Sequence, residues 1–263
     1  MFNKRLLGAL ALGLSSTAFA GPFAPAAGQP GSTAISASSP DFLAWATGYV
    51  NYLPGTDLDA TWQTPLKALG KAGDSGNTGA KDYTYDIVSL GNGGSITLTF
   101  DKPIANGPGY DFAVFENSFS STFLELAYVE VSSNGKDFYR FTNYSLTPKA
   151  VGPFGSVDPT NIDGLAGKYQ GGYGTPFDLN ELINIPGLDI NNISFVRIVD
   201  IIGAGGDLDS AGRVIYDPYK TTGSAGFDLD AIGVLHVASV PVPAAVWLFG
   251  SALAALGLRR RAR

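Results

Sequence analysis

The sequence contains no cysteine and a single histidine, His236. The first absence excludes disulfides, thiolate nucleophiles and Cys-ligated zinc. The second leaves any catalytic triad one imidazole to draw on and excludes a multi-histidine metal site. His236 itself reads as a structural histidine. Charge is sparse too: only 15% of the 263 residues are Asp, Glu, Lys or Arg. No internal repeat is present, which excludes a solenoid or propeller. No residue pattern in the chain specifies a reaction.

Glycine is abundant, at 34 residues, and so are aromatics, with 16 Phe and 12 Tyr. That mix suits many short strands joined by tight turns, and it is too apolar for a disordered chain. The length is enough for one sizeable domain. The net charge of −6 conceals an asymmetry, because Lys4, Arg5, Arg259, Arg260, Arg261 and Arg263 sit at the two ends without any acid. Between the ends, eleven Lys and Arg face 23 acids, a balance near −12. Such a core repels nucleic acid and attracts cations, and it also serves solubility.

The pattern centres on residues 110–141, YDFAVFENSFSSTFLELAYVEVSSNGKDFYRF. The nearly continuous apolar run 110–116 predicts a strand buried on both faces. Ala127, Val129 and Val131 alternate with Tyr128, Glu130 and Ser132, which predicts a half-buried strand. Asn134-Gly135 supplies a turn, and 137–141 returns as the hairpin partner. Further strands are predicted over 82–90, 95–100, 192–202 and 227–237, with turns at 92–94 and 103–109. Short helices are predicted over 61–69 and 178–185, the second with Asp178 as N-cap and Glu181 three residues on. Residues 71–81 and 147–175 read as Gly-rich loops, and 21–40 as a flexible lead-in. The expected architecture is mainly β, a single β-sandwich over residues 41–237.

Acids collect in the second half. Asp228 and Asp230 are two apart in a strand and so are expected on one face with Ile232 and Val234. The loop GGDLDSAGRVIYDP adds Asp207, Asp209 and Asp217. Calcium, which takes six to eight hard oxygens, would bridge such a group. The spacing departs from an EF-hand at Ala211 and Pro218. The competing interpretation is carboxylates that cap backbone amides. Tyr169, Tyr173, Tyr216 and Tyr219 lie in Gly-rich loops, where they would either stack on sugar rings or pack the loops. Glu116 and Asn117 end a buried strand and read first as turn-closing residues.

The two ends read as addresses. Residues 1–20 have a basic start, an apolar stretch and a small-residue finish. Ala18 and Ala20 predict cleavage before Gly21, the alternative being a retained anchor. The tail, VPVPAAVWLFGSALAALGLRRRAR, spans residues 240–263 and follows a two-residue link, 238–239. Its uncharged part, 244–258, is at or just below the roughly 17–25 residues that span a bilayer. Trp247 suits an interface, and the arginines suit the cytoplasmic side.

Val240, Pro241, Val242, Pro243, Trp247, Arg259, Arg260 and Arg261 together resemble a PEP-CTERM sorting signal of the VPLPA-like kind. The resemblance implies recognition by an exosortase-type enzyme, transient inner-membrane anchoring, and delivery to the surface or extracellular matrix of a Gram-negative bacterium. A simple C-terminal anchor is the alternative. VEVSSNGKDFYRF and GFDLDAIGVLH also resemble discoidin-like or galactose-binding-like jelly rolls. That likeness implies a jelly-roll β-sandwich, often with a structural calcium near the closing strand. Residues 41–236 are similar to bacterial secreted cell-surface proteins, which implies a location and fold but no activity.

The combined expectation is a jelly-roll β-sandwich between an N-terminal signal helix and a short C-terminal transmembrane helix. It would be an exported, non-enzymatic surface or matrix protein that binds polysaccharide, with calcium as a stabilising ion. The alternatives are an adhesive protein without a glycan site and a glycan-active hydrolase built on paired carboxylates.

Overall fold

The computed structural model describes residues 21–73, 82–83 and 85–239. Glycine-punctuated apolar segments form short strands: β1 (Ile35–Ser36), β2 (Ala44–Trp45), β3 (Gly48–Leu53), β4 (Val88–Ser89), β5 (Ser95–Ile104), β6 (Phe112–Glu116), β7 (Ala127–Ser132), β8 (Tyr139–Arg140), β9 (Tyr144–Ser145), β10 (Ile162–Asp163), β11 (Tyr173–Phe177), β12 (Ile193–Asp200) and β13 (Asp228–Val234). One sheet has the order β1-β11-β6-β13-β2, with β4 also on β13. The other runs β3-β5-β12-β7-β8, and β9 with β10 forms a small ribbon. Every pairing is antiparallel.

The main core lies between the two sheets. Phe112, Val114 and Ile232 from the first meet Leu98, Val129 and Ile198 from the second. Phe112, Phe141 and Phe177 pack ring to ring at 5.0–5.8 Å. On the other face of β6, Phe115 packs against Phe42 and Trp45 at 5.5–5.6 Å. Burial on both faces explains why β6 is an unbroken apolar run that ends in an acid. A third cluster, around Leu124, Leu126, Tyr128 and Ile215, covers one side of β7.

β7 corrects the expectation of a half-buried strand, because all six of its residues are buried. Its polar side is covered by ion pairs instead of water. Arg140 donates to Glu130 Oε1 from Nε and Nη2 at 3.0 and 2.8 Å, and Arg197 Nε donates to Oε2 at 2.6 Å. The guanidinium of Arg140 lies 3.7 Å over the Tyr128 ring, and that of Arg197 lies 3.9 Å over Phe138. Such stacked pairs dehydrate the strand without an apolar side chain.

The expected jelly-roll β-sandwich with a helix at each end is corrected to a mainly-β fold whose sheet curls into a half-barrel. Register shifts interrupt β3–β5, β5–β12 and β6–β13. Each adds local twist and bends its strand. The ten-residue β5 follows this curl and bridges through Ile104 to Val237. Helix is confined to short 3-10 turns among the described residues. The helix expected over 61–69 is two such turns, Ala60–Trp62 and Pro65–Ala68, separated because Pro65 restarts the chain. That over 178–185 is Leu179–Leu182, with Asp178 accepting from the Asn180 amide as its cap. Of the strand expected over 82–90, only β4 forms among the described residues.

The signal helix over 1–20, with Ala18 and Ala20, lies outside the described residues. So does the transmembrane helix over 244–258, with every sorting-signal residue from Val240 to Arg263. Among the described residues no helix is long and apolar enough to cross a membrane. Their apolar residues are used in short strands and in helical turns of three or four residues, well below the roughly 17–25 a span needs. The described residues thus give the membrane-anchored localisation no support, while the PEP-CTERM and exosortase assignments rest on residues outside the described ones. The flexible lead-in over 21–40 is also corrected. The Gly21 amide donates to Thr160 Oγ1 at 2.6 Å, Phe23 stacks on Tyr144 at 6.1 Å, and β1 pairs with β11.

Asp200, at the end of β12, ties the sheets together. It accepts from the amides of Gly93 and Phe227, both at 2.7 Å. Gly226 (φ +69°) is needed there, since a Cβ would lie 2.6 Å from Asp200 Oδ1. Burial pushes the Asp200 carboxyl up to about 7 despite those donors. A carboxyl raised on folding adds stability below the ordinary carboxylate range and loses it as pH rises through about 7. The melting temperature should therefore fall between pH 5 and pH 8, and less steeply in Asp200→Asn. That variant should lose about 1–3 kcal/mol, because one amide oxygen replaces two acceptors. Thermal melts across pH check both effects, and a wild-type melting temperature that rises over this window would contradict the assignment.

Candidate functional site

β6 ends at Glu116, and β13 begins at Asp228 beside it, with Leu229 paired to Glu116. The segment after β6 folds back to bring Glu125 to the same place. Gly167 (φ +82°) permits this, since a Cβ there would collide with the Glu125 carbonyl. Three carboxylates thus meet below the surface, Glu116, Glu125 and Asp228, with exposures of 1%, 4% and 3%.

One oxygen of each, Glu116 Oε1, Glu125 Oε1 and Asp228 Oδ1, has no hydrogen-bond partner among the described residues. Glu116 Oε2 accepts from the Ser118 amide at 2.9 Å. Burial holds Glu116 well above the usual carboxylate range, with the Asp228 charge adding to it. Glu125 is raised by burial and then by Asp228 and Glu116. Asp228 is pushed up to about 7, again chiefly by burial, although Ser89, Ser224 and Asn117 pull it down. Three buried acids that raise one another's affinity for positive charge hold either protons or a cation.

Glu125 and Asp228 form the floor of a cleft of about 200 Å³, with Asn117, Thr221, Thr222 and Ser224 on its walls. Its rim is aromatic. Phe119, Phe154 and Tyr85 are 70%, 77% and 61% exposed. Phe123 stacks between Phe119 and Phe154, at 4.7 and 5.9 Å, and Trp62 stacks on Tyr85 at 6.2 Å. Exposed rings above buried oxygens can take a ligand that has both an apolar face and hydroxyl groups.

The acids expected to act together separate into different roles. The register shift at Leu229/Ala231 turns Leu229 onto the core face with Ile232 and Val234, and Ala231 onto the opposite face. Asp228 and Asp230 therefore leave the face shared by Ile232 and Val234. Asp230 accepts from the Gly73 amide at 2.9 and 3.2 Å, and only Asp228 reaches the cleft. Asp207 accepts from the Ile202 amide and Asp217 from the Leu126 amide, each at 3.0 Å. Asp209 takes the amides of Ser145, Ala211 and Arg213 and the Arg213 guanidinium, all at 2.8–3.0 Å. These three are loop ties. Among the described residues, no group of three or more His, Cys, Asp or Glu side chains forms a ready metal cage.

The four tyrosines do not share a surface. Tyr169 is buried, with its hydroxyl 2.8 Å from Thr33 Oγ1. Tyr173 lies on β11, and Tyr216 and Tyr219 are half-buried in the loop before β13. His236 Nδ1 lies 2.9 Å from Asp111 Oδ1, in a structural contact. Sequence reasoning missed Glu125 and took Glu116 for a turn residue. The available signal was an acid inside an apolar run, FLELA for Glu125 and AVFEN for Glu116.

Glu125→Gln removes one of three mutually repelling groups. Because burial and its neighbours raise the proton affinity of Glu125, the wild-type penalty grows with pH, so in chelator the variant's melting temperature should rise relative to wild type from pH 5 to pH 8. A large loss at both pH values would show that the carboxylate makes bonds on which the fold depends. No protein-family model matches this chain, and no curated protein matches it.

Proposed function

We propose that this is a non-catalytic carbohydrate-binding protein, with its polysaccharide ligand lying across the aromatic rim over a calcium ion at the cleft floor. One observation carries the proposal: two almost fully buried carboxylates, Glu125 and Asp228, each with an oxygen that has no partner among the described residues, line a cleft edged by exposed, stacked rings, and a third, Glu116, lies beside them. Calcium takes six to eight oxygens, so Glu125 and Asp228, with Glu116 behind them, need supply only part of its shell. Hydroxyls of Thr221 and Ser224, backbone carbonyls and water supply the rest. The loop acids Asp207, Asp209 and Asp217 stand outside this set because backbone amides already occupy them.

The ring faces of Phe119, Phe154 and Tyr85 suit the C–H faces of sugars, while the polar walls suit their hydroxyls. The acidic balance of the chain favours a neutral glycan and a cation over an anionic ligand.

Melting the protein in calcium and in chelator tests the ion. Calcium at about 100 times its Kd should add about 2.7 kcal/mol, and the gain should vanish in Glu125→Gln/Asp228→Asn. Affinity electrophoresis through gels containing neutral polysaccharides tests the ligand. Phe119→Ala/Phe154→Ala should lose roughly tenfold in retention, with the calcium shift intact. No retention by any neutral glycan in calcium would overturn the binding assignment. Release of reducing ends from a retained glycan would overturn the non-catalytic one.

A further inference from the structure

Away from the acidic cleft, Lys168 lines a cavity of about 280 Å³ between the β9–β10 ribbon and β11. Lys168 is 3% exposed. Among the described residues its ammonium has neither a hydrogen bond nor an ion pair. Its nearest aromatic neighbour is the Tyr169 ring, 5.6 Å from the centroid. Lysine is almost never fully buried without a partner, because the ammonium loses its hydration. Desolvation pulls it down to about 8, with Asp163 opposing that shift, so at neutral pH it is still largely charged.

The same cavity is lined by Asp163 and Glu181, both exposed at its mouth. Partial burial, Asp163 and Asp178 together raise Glu181. The buried end of the cavity thus has a cation without a hydrogen-bonded or ion-paired partner, and its exposed end has two carboxylates. Tyr110, Tyr144 and Thr175 also line it. The volume is just below the roughly 300–1,000 Å³ of sites for drug-sized ligands, so the occupant is small.

We propose that this cavity binds a small zwitterion of the α-amino-acid class, its carboxylate on Lys168 and its ammonium on Asp163 and Glu181. A simple anion would meet the carboxylates at the mouth, and a simple cation would meet Lys168. Only a ligand carrying both charges complements both ends. The site is separate from the carbohydrate cleft and does not rest on it.

Calorimetric titration of the purified protein with glycine and L-serine tests the proposal, with acetate and methylammonium as single-charge controls. Saturable binding of an amino acid, at least roughly tenfold tighter than either control, is expected. Lys168→Met should abolish that binding and melt at or above wild type, because it replaces an unpartnered ammonium with an apolar chain of similar length. Glu181→Gln should weaken the amino acids and leave acetate unchanged or tighter. The proposal is overturned if neither amino acid binds saturably, if acetate matches them, or if Lys168→Met binds as wild type does. A marked fall in the melting temperature of Lys168→Met would also overturn it, by showing that the ammonium serves the fold.

Discussion

Backbone amides donated to buried carboxylates hold this fold together. The strands are short, the connections are rich in glycine, and no disulfide is possible. Asp111 gathers the amides of Gly107 and Leu179, both at 2.7 Å, together with His236. Asp200 joins Gly93 to Phe227, Asp209 joins Ser145 to Arg213, and Asp217 holds Leu126. Each of these acids holds at least one amide more than 60 residues away, as a disulfide would, and each satisfies amides outside the sheet ladders. A hydrogen bond to a charged group contributes about 1.5–3 kcal/mol, against the cost of removing the carboxylate from water. The raised affinities of Asp200 and Asp217 for a proton are the visible residue of that cost.

Against that background Glu116, Glu125 and Asp228 stand out through what they lack. They are as buried as the loop ties, yet each keeps an oxygen without a donor. Burial alone therefore does not separate a structural acid from a functional one. The decisive question is whether the protein supplies the compensating group. For the loop acids it does, through amides fixed by glycine turns. For one oxygen of each cleft acid it does not among the described residues, and the cleft opens beside two of them, Glu125 and Asp228.

The sequence showed β6 as a strand buried on both faces, the β7–β8 hairpin and the Asp178 cap, because each is written in local residue types. It could not show the register shift beside Leu229, which removes Asp228 and Asp230 from the face that strict alternation assigned them. Nor could it show that Asp209 spends its acceptors on Ser145 and Arg213, since the choice between capping and metal binding depends on which amides arrive from distant chain. Composition misled over residues 21–40, where Pro, Ala, Gly and Ser suggested a loose segment but Phe23 and β1 fasten it. It misled over Tyr169 as well, a loop tyrosine that the fold buries. The aromatic rim came from residues 62, 85, 119, 123 and 154, too scattered for any spacing argument.

The two unbalanced sites carry opposite charges, and the fold keeps them apart. Buried carboxyl groups with one oxygen each unpartnered among the described residues lie at the floor of the cleft, and an ammonium with neither hydrogen bond nor ion pair lies at the base of the cavity. Yet they share backbone: Gly167 packs against the Glu125 carbonyl, and Lys168 is the next residue. A fold governed by stability alone would be served by turning Lys168 toward those acids or by apolar residues at both places, since a buried charge without a partner is costly. Keeping the charges separate leaves one hollow that attracts cations and another whose base attracts anions. Protons or external ligands are the remaining sources of compensation, and under the two proposals each site selects its ligand by the sign and spacing of what it lacks.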